Sequence, residues 1–333
     1  MNPQLTTPQS AGQRIIAGFT GTELNPDLKY LIDTLLVGGI ILFSRNIENR
    51  DQLRRLCSDA QDYARTCGQP GLIIAVDQEG GSVARLKAPD FFQPPDAAQI
   101  KDPVQAGCFA EITASELNSV GINMNMAPVM DVASPDGCGI MANRSFAGDP
   151  QKAAESGAAV IESLQKNKVM AVAKHFPGIG RTTADSHLDL PELDISLQQL
   201  ETFDLVPFYT AARHKAAGIM LSHVRYTALD PVWPASLSKA AAKDLLRNKI
   251  GYTGLTITDD LEMGAIANYY DMPAVADRVL CAEIDIALIC HSMDKAESAF
   301  ETFHSALTDP AAYERSMASI LRITEAKNRY LFY

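Results

Sequence analysis

The chain has 333 residues, 47% hydrophobic and 21% charged, with a formal net charge of −11. That is the composition of a globular protein with a sizeable core, and its acidity argues against a nucleic-acid or anionic-membrane partner, because both are polyanions. No apolar run approaches the ~18 residues of a bilayer-crossing helix, and the start MNPQLTTPQSAGQR has no basic-then-apolar leader pattern. The six cysteines, at 57, 67, 108, 138, 281 and 290, include no C-x-x-C pair and read as buried free thiols. A reduced, cytoplasmic setting is the expectation.

In chain order, eight short β-prone apolar runs alternate with helical segments. RIIAGF (14–19) is followed by Asn25-Pro26, which opens the helix PDLKYLIDTLL, and Gly38 closes it. GGIILFS (38–44) and GLIIAVD (71–77) come next. Asp102-Pro103 opens a helix that ends at Gly121, ahead of INMNMAPV (122–129). Asp149-Pro150 opens PQKAAESGAAVIESLQ, ahead of VMAVAKH (169–175). After AGIMLSH (217–223), Ser238 caps KAAAKDLLRNKI, which stops at Gly251. GLTITDD (254–260) and IDIALIC (284–290) complete the strands, and Asp309-Pro310 opens a last helix. A capping side chain, proline in the first turn and glycine past the end are the chemistry of helix boundaries. Runs apolar at nearly every position suit strands covered on both faces. Eight such strands alternating with helices predict a single (β/α)8 barrel over residues 1–333, with right-handed crossovers. An open doubly wound sheet is the competitor, weakened because no G-x-G-x-x-G follows an early strand.

In such a barrel the chemistry gathers at the carboxy-terminal ends of the strands. Here those ends carry Asp77 (VDQEGG), the segment APVMDV running on to NRSF, Lys174-His175, Ser222-His223 and Asp259-Asp260. Three readings compete. A metal-dependent hydrolase would use His175, His223 and Asp259, but neither H-x-H nor H-E-x-x-H is present. A Schiff-base aldolase would use Lys174 as an amine nucleophile, its pKa lowered by burial. The third is nucleophilic and acid/base work on a sugar by Asp259 and a histidine. His214 and His304 read as ordinary helix residues, and His291 is unassigned.

The motifs VDQEGGSVARL, NMNMAPVMDV, NRSFAGDP, KHFPGIGRTTADSHLDLP, LSHVRYTALDPVWPASLS and GYTGLTITDDLEMGAI together resemble glycoside hydrolase family 3, and within it the single-domain bacterial β-N-acetylglucosaminidases of cell-wall recycling. The resemblance covers nearly the whole chain. It implies Asp259 as catalytic nucleophile, His187 as general acid/base and Asp185 as its charge partner. It further implies Asp77, Arg85, Arg144, Lys174 and His175 as the residues that bind a non-reducing N-acetylglucosamine. The implied partner is a small muropeptide-type carbohydrate, with no cofactor, no metal, no nucleic acid and no membrane, in a monomer or homodimer.

The implied chemistry is physically coherent. Retaining glycosidases commonly pair two carboxyl groups about 5–5.5 Å apart. An imidazole, with an ordinary pKa of ~6.5, can replace the acid/base carboxyl, and a carboxylate beside it favours its protonated form. A neutral base does not repel an anionic acceptor, so an N-acetylglucosaminide phosphorylase stands as an alternative. A β-glucosidase of the same superfamily and a weakened glycan-binding protein are the others. Two departures from the family pattern bear on the site. Ile179 replaces the histidine of the common PGHG, implying altered loop packing or closure, and Asn143 replaces the aspartate of DRSF, implying a looser Arg144. Asp260 carries no implied role and reads as a residue bonding neighbouring backbone.

Overall fold

The computed structural model describes residues 5–133, 139–146, 148–182 and 186–331. Its centre is a closed barrel of eight parallel strands. They are β1 (Ile15–Ala17), β2 (Gly39–Leu42), β3 (Ile73–Val76), β4 (Met124–Asn125), β5 (Met170–Phe176), β6 (Gly218–Leu221), β7 (Leu255–Asp260) and β8 (Ile286–Ile289). Each pairs with its sequence neighbours, and β1 closes the ring on β8 through Ile15 opposite Ala287 and Ile16 opposite Leu288. Each of the eight predicted runs overlaps one barrel strand, with β5 running one residue past its run to Phe176, and the (β/α)8 expectation holds.

The near-continuous hydrophobicity of these runs has a direct cause. Alternate residues of a strand face opposite sides, and here both sides are buried. Ile16, Ile41, Ile73, Ala75, Met124, Met170, Val172, Met220, Ile257 and Leu288 pack together inside the barrel. Their neighbours Ile15, Ile40, Leu42, Ile74, Val76, Ala171, Ile219 and Ile289 belong to the outer layer under the helices. Each such Ile, Leu, Met or Val contributes about 1.5–3 kcal/mol by leaving water.

The helix boundaries follow the predicted chemistry. Pro26–Asp33, Pro103–Ser119, Pro150–Lys166 and Pro310–Tyr330 all start at proline, and Asn25, Asp102, Asp149 and Asp309 accept first-turn N–H groups. One helix departs from expectation. Ser238 accepts the N–H of Ala241, but Ala240–Lys249 is wound as a π-helix, and Ile250 N–H reaches Leu245 O. The cysteine expectation needs a correction too. Cys57, Cys67, Cys108, Cys281 and Cys290 are free thiols, yet only Cys57 and Cys290 are buried. Cys108 and Cys281 sit on exposed helix positions, where helical periodicity rather than residue type decides burial. Cys138 lies outside the described residues. Among the described residues no helix is long and apolar enough to cross a membrane.

Candidate active site

At the carboxy-terminal rim of the barrel a cavity of about 230 Å³ is lined by Asp77, Arg85, Arg144, Lys174, His175, His187 and Asp259, with Glu79, Asp260 and His291 beside them. The structure thus brings together seven of the eight predicted site residues. The eighth, Asp185, lies outside the described residues.

Asp77 follows β3 directly. The chain then makes a hairpin in which Gln78–Gly80 pairs with Val83–Ala84, and the buried Gln78 carboxamide accepts the N–H groups of Arg85 and Leu86. This turn folds Arg85 back over Asp77, with Nη2 3.2 Å from Oδ2. From β5, Lys174 reaches the same carboxylate at 2.8 Å and Glu79 Oε1 at 2.7 Å. Glu79 in turn holds Arg144 with two bonds, 2.9 Å to Nε and 2.7 Å to Nη2. Three cations and two carboxylates therefore form one connected chain, Arg85–Asp77–Lys174–Glu79–Arg144.

The charge states follow. Burial alone would push Asp77 up, but Lys174 and Arg85 outweigh it and hold the carboxyl down at about 2. Burial would depress Lys174, but Asp77 and Glu79 raise it above the ordinary lysine value. An ammonium held this way is the opposite of the free amine that Schiff-base chemistry needs, which removes that reading. The expected looseness of Arg144 is corrected as well. Asn143 is exposed, and the arginine takes its placement from Glu79.

His175 is fixed by Asp131, a fully buried residue. The carboxylate accepts the backbone N–H of His175 at 3.2 Å and lies 2.7 Å from Nδ1. It also takes the N–H of Ile179 at 2.8 Å. A carboxylate only accepts, so Nδ1 carries hydrogen here and Nε2 is the free end of the ring. Ile179 itself packs into the core, 4% exposed. The loop before it turns at Gly178, whose φ of +125° few other residues adopt, and Tyr226 donates to Gly178 O at 2.8 Å.

At the end of β7 the two adjacent aspartates separate in character. Burial would raise Asp259, but His175, His223, the N–H of Asp260 and Lys174 bring it below the ordinary aspartate value. Burial, with Glu262 and Asp259 nearby, lifts Asp260 to about 7. Environments that push two carboxyls apart mark distinct roles. Asp259 is the ionised one and lines the cavity. Asp260 Oδ1 accepts N–H groups of Glu262 and Cys290, and its backbone carbonyl accepts from His223 Nε2 at 2.7 Å. His223 is buried, and its Nδ1 meets Ser236 Oγ at 2.7 Å. Both residues therefore hold the end of β7 in place. Among the described residues no group of three or more His, Cys, Asp and Glu side chains could hold a metal ion.

Glu79 and Asp131 are site residues outside the set expected from the sequence. Glu79 had a usable signal: it lies two positions after Asp77 in an extended segment, so both side chains face the same way. Asp131 sits within the quoted APVMDV but beyond its strand, and no local pattern ties it to His175, 44 residues later.

An eight-stranded parallel barrel thus presents a buried, ionised carboxylate and an imidazole beside a fixed array of charged side chains, the layout of a barrel enzyme with its site at the strand ends. Residues 4–324 match the family described as "Glycosyl hydrolase family 3 N terminal domain", and the chain belongs to that family. It is 34% identical over 300 residues to a protein named "Beta-hexosaminidase" from Pseudomonas aeruginosa, covering 89% of this chain and 88% of that one. It is 32% identical over 367 residues to "Beta-hexosaminidase A" from Pseudoalteromonas piscicida, covering 98% of this chain and 61% of that one. Among solved structures, a glycoside hydrolase family 3 β-N-acetylglucosaminidase from Paenibacillus sp. str. FPU-7 superposes with a TM-score of 0.93 at 32% identity, covering 99% of this chain and 64% of that chain. A β-N-acetylhexosaminidase from Beutenbergia cavernae gives 0.90 at 27% identity, covering 98% and 100%. The chain thus spans less than two thirds of two of these relatives and most of the other two.

Proposed function

We propose that the protein is a retaining exo-β-N-acetylglucosaminidase that removes terminal N-acetylglucosamine from muropeptide-type sugars. The observation that carries the reading is the sharing of one cavity by Asp259, His187 and the Arg85–Asp77–Lys174–Glu79–Arg144 chain. The names of the relatives support the sugar class. The cytoplasmic recycling setting, the single-domain organisation over 1–333 and a monomeric or homodimeric state belong to the same proposal.

In this mechanism Asp259, kept ionised by its neighbours, attacks the anomeric carbon while protonated His187 gives its proton to the departing oxygen. A covalent glycosyl-aspartate forms. His187, now neutral, takes a proton from water, which attacks the same carbon as the ester bond to Asp259 breaks; the carboxylate is regenerated, and the β configuration is retained. Asp185 serves as the charge partner of His187. Asp77 accepts from sugar hydroxyls, while Arg85, Arg144 and Lys174 only donate. Their mutual ion pairs hold them in position before substrate arrives, so little ordering remains to be done on binding.

The test is hydrolysis of an aryl β-N-acetylglucosaminide, followed by trapping with a fluorinated, slowly released N-acetylglucosamine analogue and peptide mapping. A label on Asp259 and a β product are expected. A label elsewhere, inversion at C1, or full activity of Asp259→Ala would overturn the reading. Repeating the assay with phosphate present decides between water and phosphate as acceptor, and the aryl glucoside decides between hexosaminidase and glucosidase.

A further inference from the structure

The loop that carries His187 is fastened to the segment that leaves the nucleophile strand. Gly264 N–H donates to His187 O at 3.1 Å, and Ala265 N–H donates to Ser186 O at 3.0 Å. Asn268 Nδ2 donates to Leu188 O at 3.1 Å. Tyr269 hydroxyl donates to Asp189 Oδ1. Four consecutive loop residues, 186 to 189, are thereby bonded to residues 264–269, which begin only five positions after Asp259. Gly264 leaves no room for anything more. A Cβ built there would lie 2.6 Å from Leu188 O and 2.7 Å from His187 O.

The segment is itself anchored to the barrel. Leu261 N–H donates to Leu288 O at 3.0 Å, Met263 N–H to Asp260 O at 3.0 Å, and His223 Nε2 contacts the same Asp260 oxygen at 2.7 Å. A continuous run of bonds therefore connects the placement of Asp259 to the placement of the His187 backbone.

We propose that Gly264, Asn268 and Tyr269 are positioning residues that set the acid/base histidine against the nucleophile, so that protonation of the leaving group depends on this clamp. The proposal rests on the reading of Asp259 and His187 given above. Its physical basis is the sensitivity of proton transfer to placement: a general acid works only within hydrogen-bond reach of the oxygen it protonates. Attack by Asp259 has no such dependence on the loop. Gly264 does not have a left-handed backbone, and alanine favours the helix Gly264–Ala267 intrinsically. Gly264→Ala should therefore act through the loop rather than through its own segment.

Two measurements test it. The first compares kcat/KM for a β-N-acetylglucosaminide with a sugar leaving group and for its 2,4-dinitrophenyl counterpart, which departs without a proton. In Gly264→Ala and Asn268→Ala the sugar substrate should lose about tenfold to a hundredfold, a part of the roughly 10²–10⁴-fold that a fully engaged general acid supplies, while the dinitrophenyl substrate stays within about twofold. Asp189→Asn, which keeps an acceptor for Tyr269, should retain more activity on the sugar substrate than Asp189→Ala. Equal losses on both substrates, or none on either, would overturn the proposal. The second is amide hydrogen exchange of the peptide containing 186–190, which needs no turnover. Faster exchange in Gly264→Ala supports the clamp, and unchanged exchange overturns it. Failure of the wild-type enzyme to cleave either substrate would count against the assigned activity, and the exchange result would still decide the clamp.

Discussion

The carboxylate of Asp131 and the imidazole of His175 lie 2.7 Å apart, and the same carboxylate accepts the backbone N–H of His175 and of Ile179. One buried acid thus sets the tautomer of a cavity-lining histidine and pins the turn behind it. Replacing it by asparagine, Asp131→Asn, retains the shape but presents a donor where two N–H groups and Nδ1–H all need an acceptor. A buried charged hydrogen bond contributes about 1.5–3 kcal/mol, so the denaturation midpoint should fall correspondingly, and KM should rise as His175 loses its orientation. An unchanged midpoint together with an unchanged KM would contradict this role.

Glu79 gives a second prediction. It links Lys174 at 2.7 Å to Arg144, which it grips with two bonds. Glu79→Gln removes the charge while conserving volume. The carboxamide can accept from one of these cations, not from both as strongly. Arg144 should then wander, and the expected outcome is a KM raised about tenfold or more, the worth of a ~1.4 kcal/mol contact. Steady-state kinetics on an aryl N-acetylglucosaminide and direct titration with N-acetylglucosamine read the same loss. A change confined to kcat would place Glu79 in the chemistry instead.

How much of this was open to reading without coordinates depends on the range of the interaction involved. The strands were legible because both faces of each are buried, which writes an unbroken apolar run into the sequence; β5, for instance, is buried at all seven positions. Helix starts were legible because capping is a contact between residues two or three apart, as at Asn25 and Asp149. Asp77, Lys174 and Asp259 were legible as strand-end polar groups. The partners that fix them were not, because their contacts span the barrel: Lys174 and Asp77 are 97 positions apart, and Arg144 and Glu79 are 65 apart. The π-winding of Ala240–Lys249 has no counterpart in its composition, which reads as an ordinary helix. Ile179 shows the reverse case. An apolar residue in place of the family's histidine implies a change in the loop, and the side chain belongs to the core while its backbone N–H does the polar work.

Asp77 makes stability depend on acid. Burial raises its pKa, Lys174 and Arg85 lower it more, and the folded value falls to about 2. A depressed carboxyl stabilises the fold above its unfolded pKa, about 4, and that contribution disappears as pH drops towards 2. A shift of this size corresponds to about 2 kcal/mol, and the side chain is only 15% exposed, so solvent screening takes little from it. Asp77→Asn should therefore unfold with a flatter pH dependence between pH 4 and 2 than the parent. Parallel curves for the two proteins across that window would refute the assignment.

Lys327 gives a pH dependence of the same sign at the other end of the scale, from a group that costs stability. It is 4% exposed on Pro310–Tyr330, its Nζ donates to Gln13 Oε1 at 2.5 Å, and burial alone drives it down to about 7. Between that value and the ordinary ~10.4 of lysine, the unfolded chain binds a proton that the folded chain does not. Stability from this group accordingly rises with pH across that interval, and below pH 7 the buried ammonium is a constant penalty. Lys327→Met fills the same space without the charge and gives up one hydrogen bond worth about 1 kcal/mol. The variant should be more stable than the parent at pH 7, with the gap narrowing steadily towards pH 10. Thermal or urea denaturation at pH 7, 8.5 and 10 measures both quantities, and a variant less stable at pH 7, or a gap that widens with pH, would show that Lys327 is not held neutral by the core.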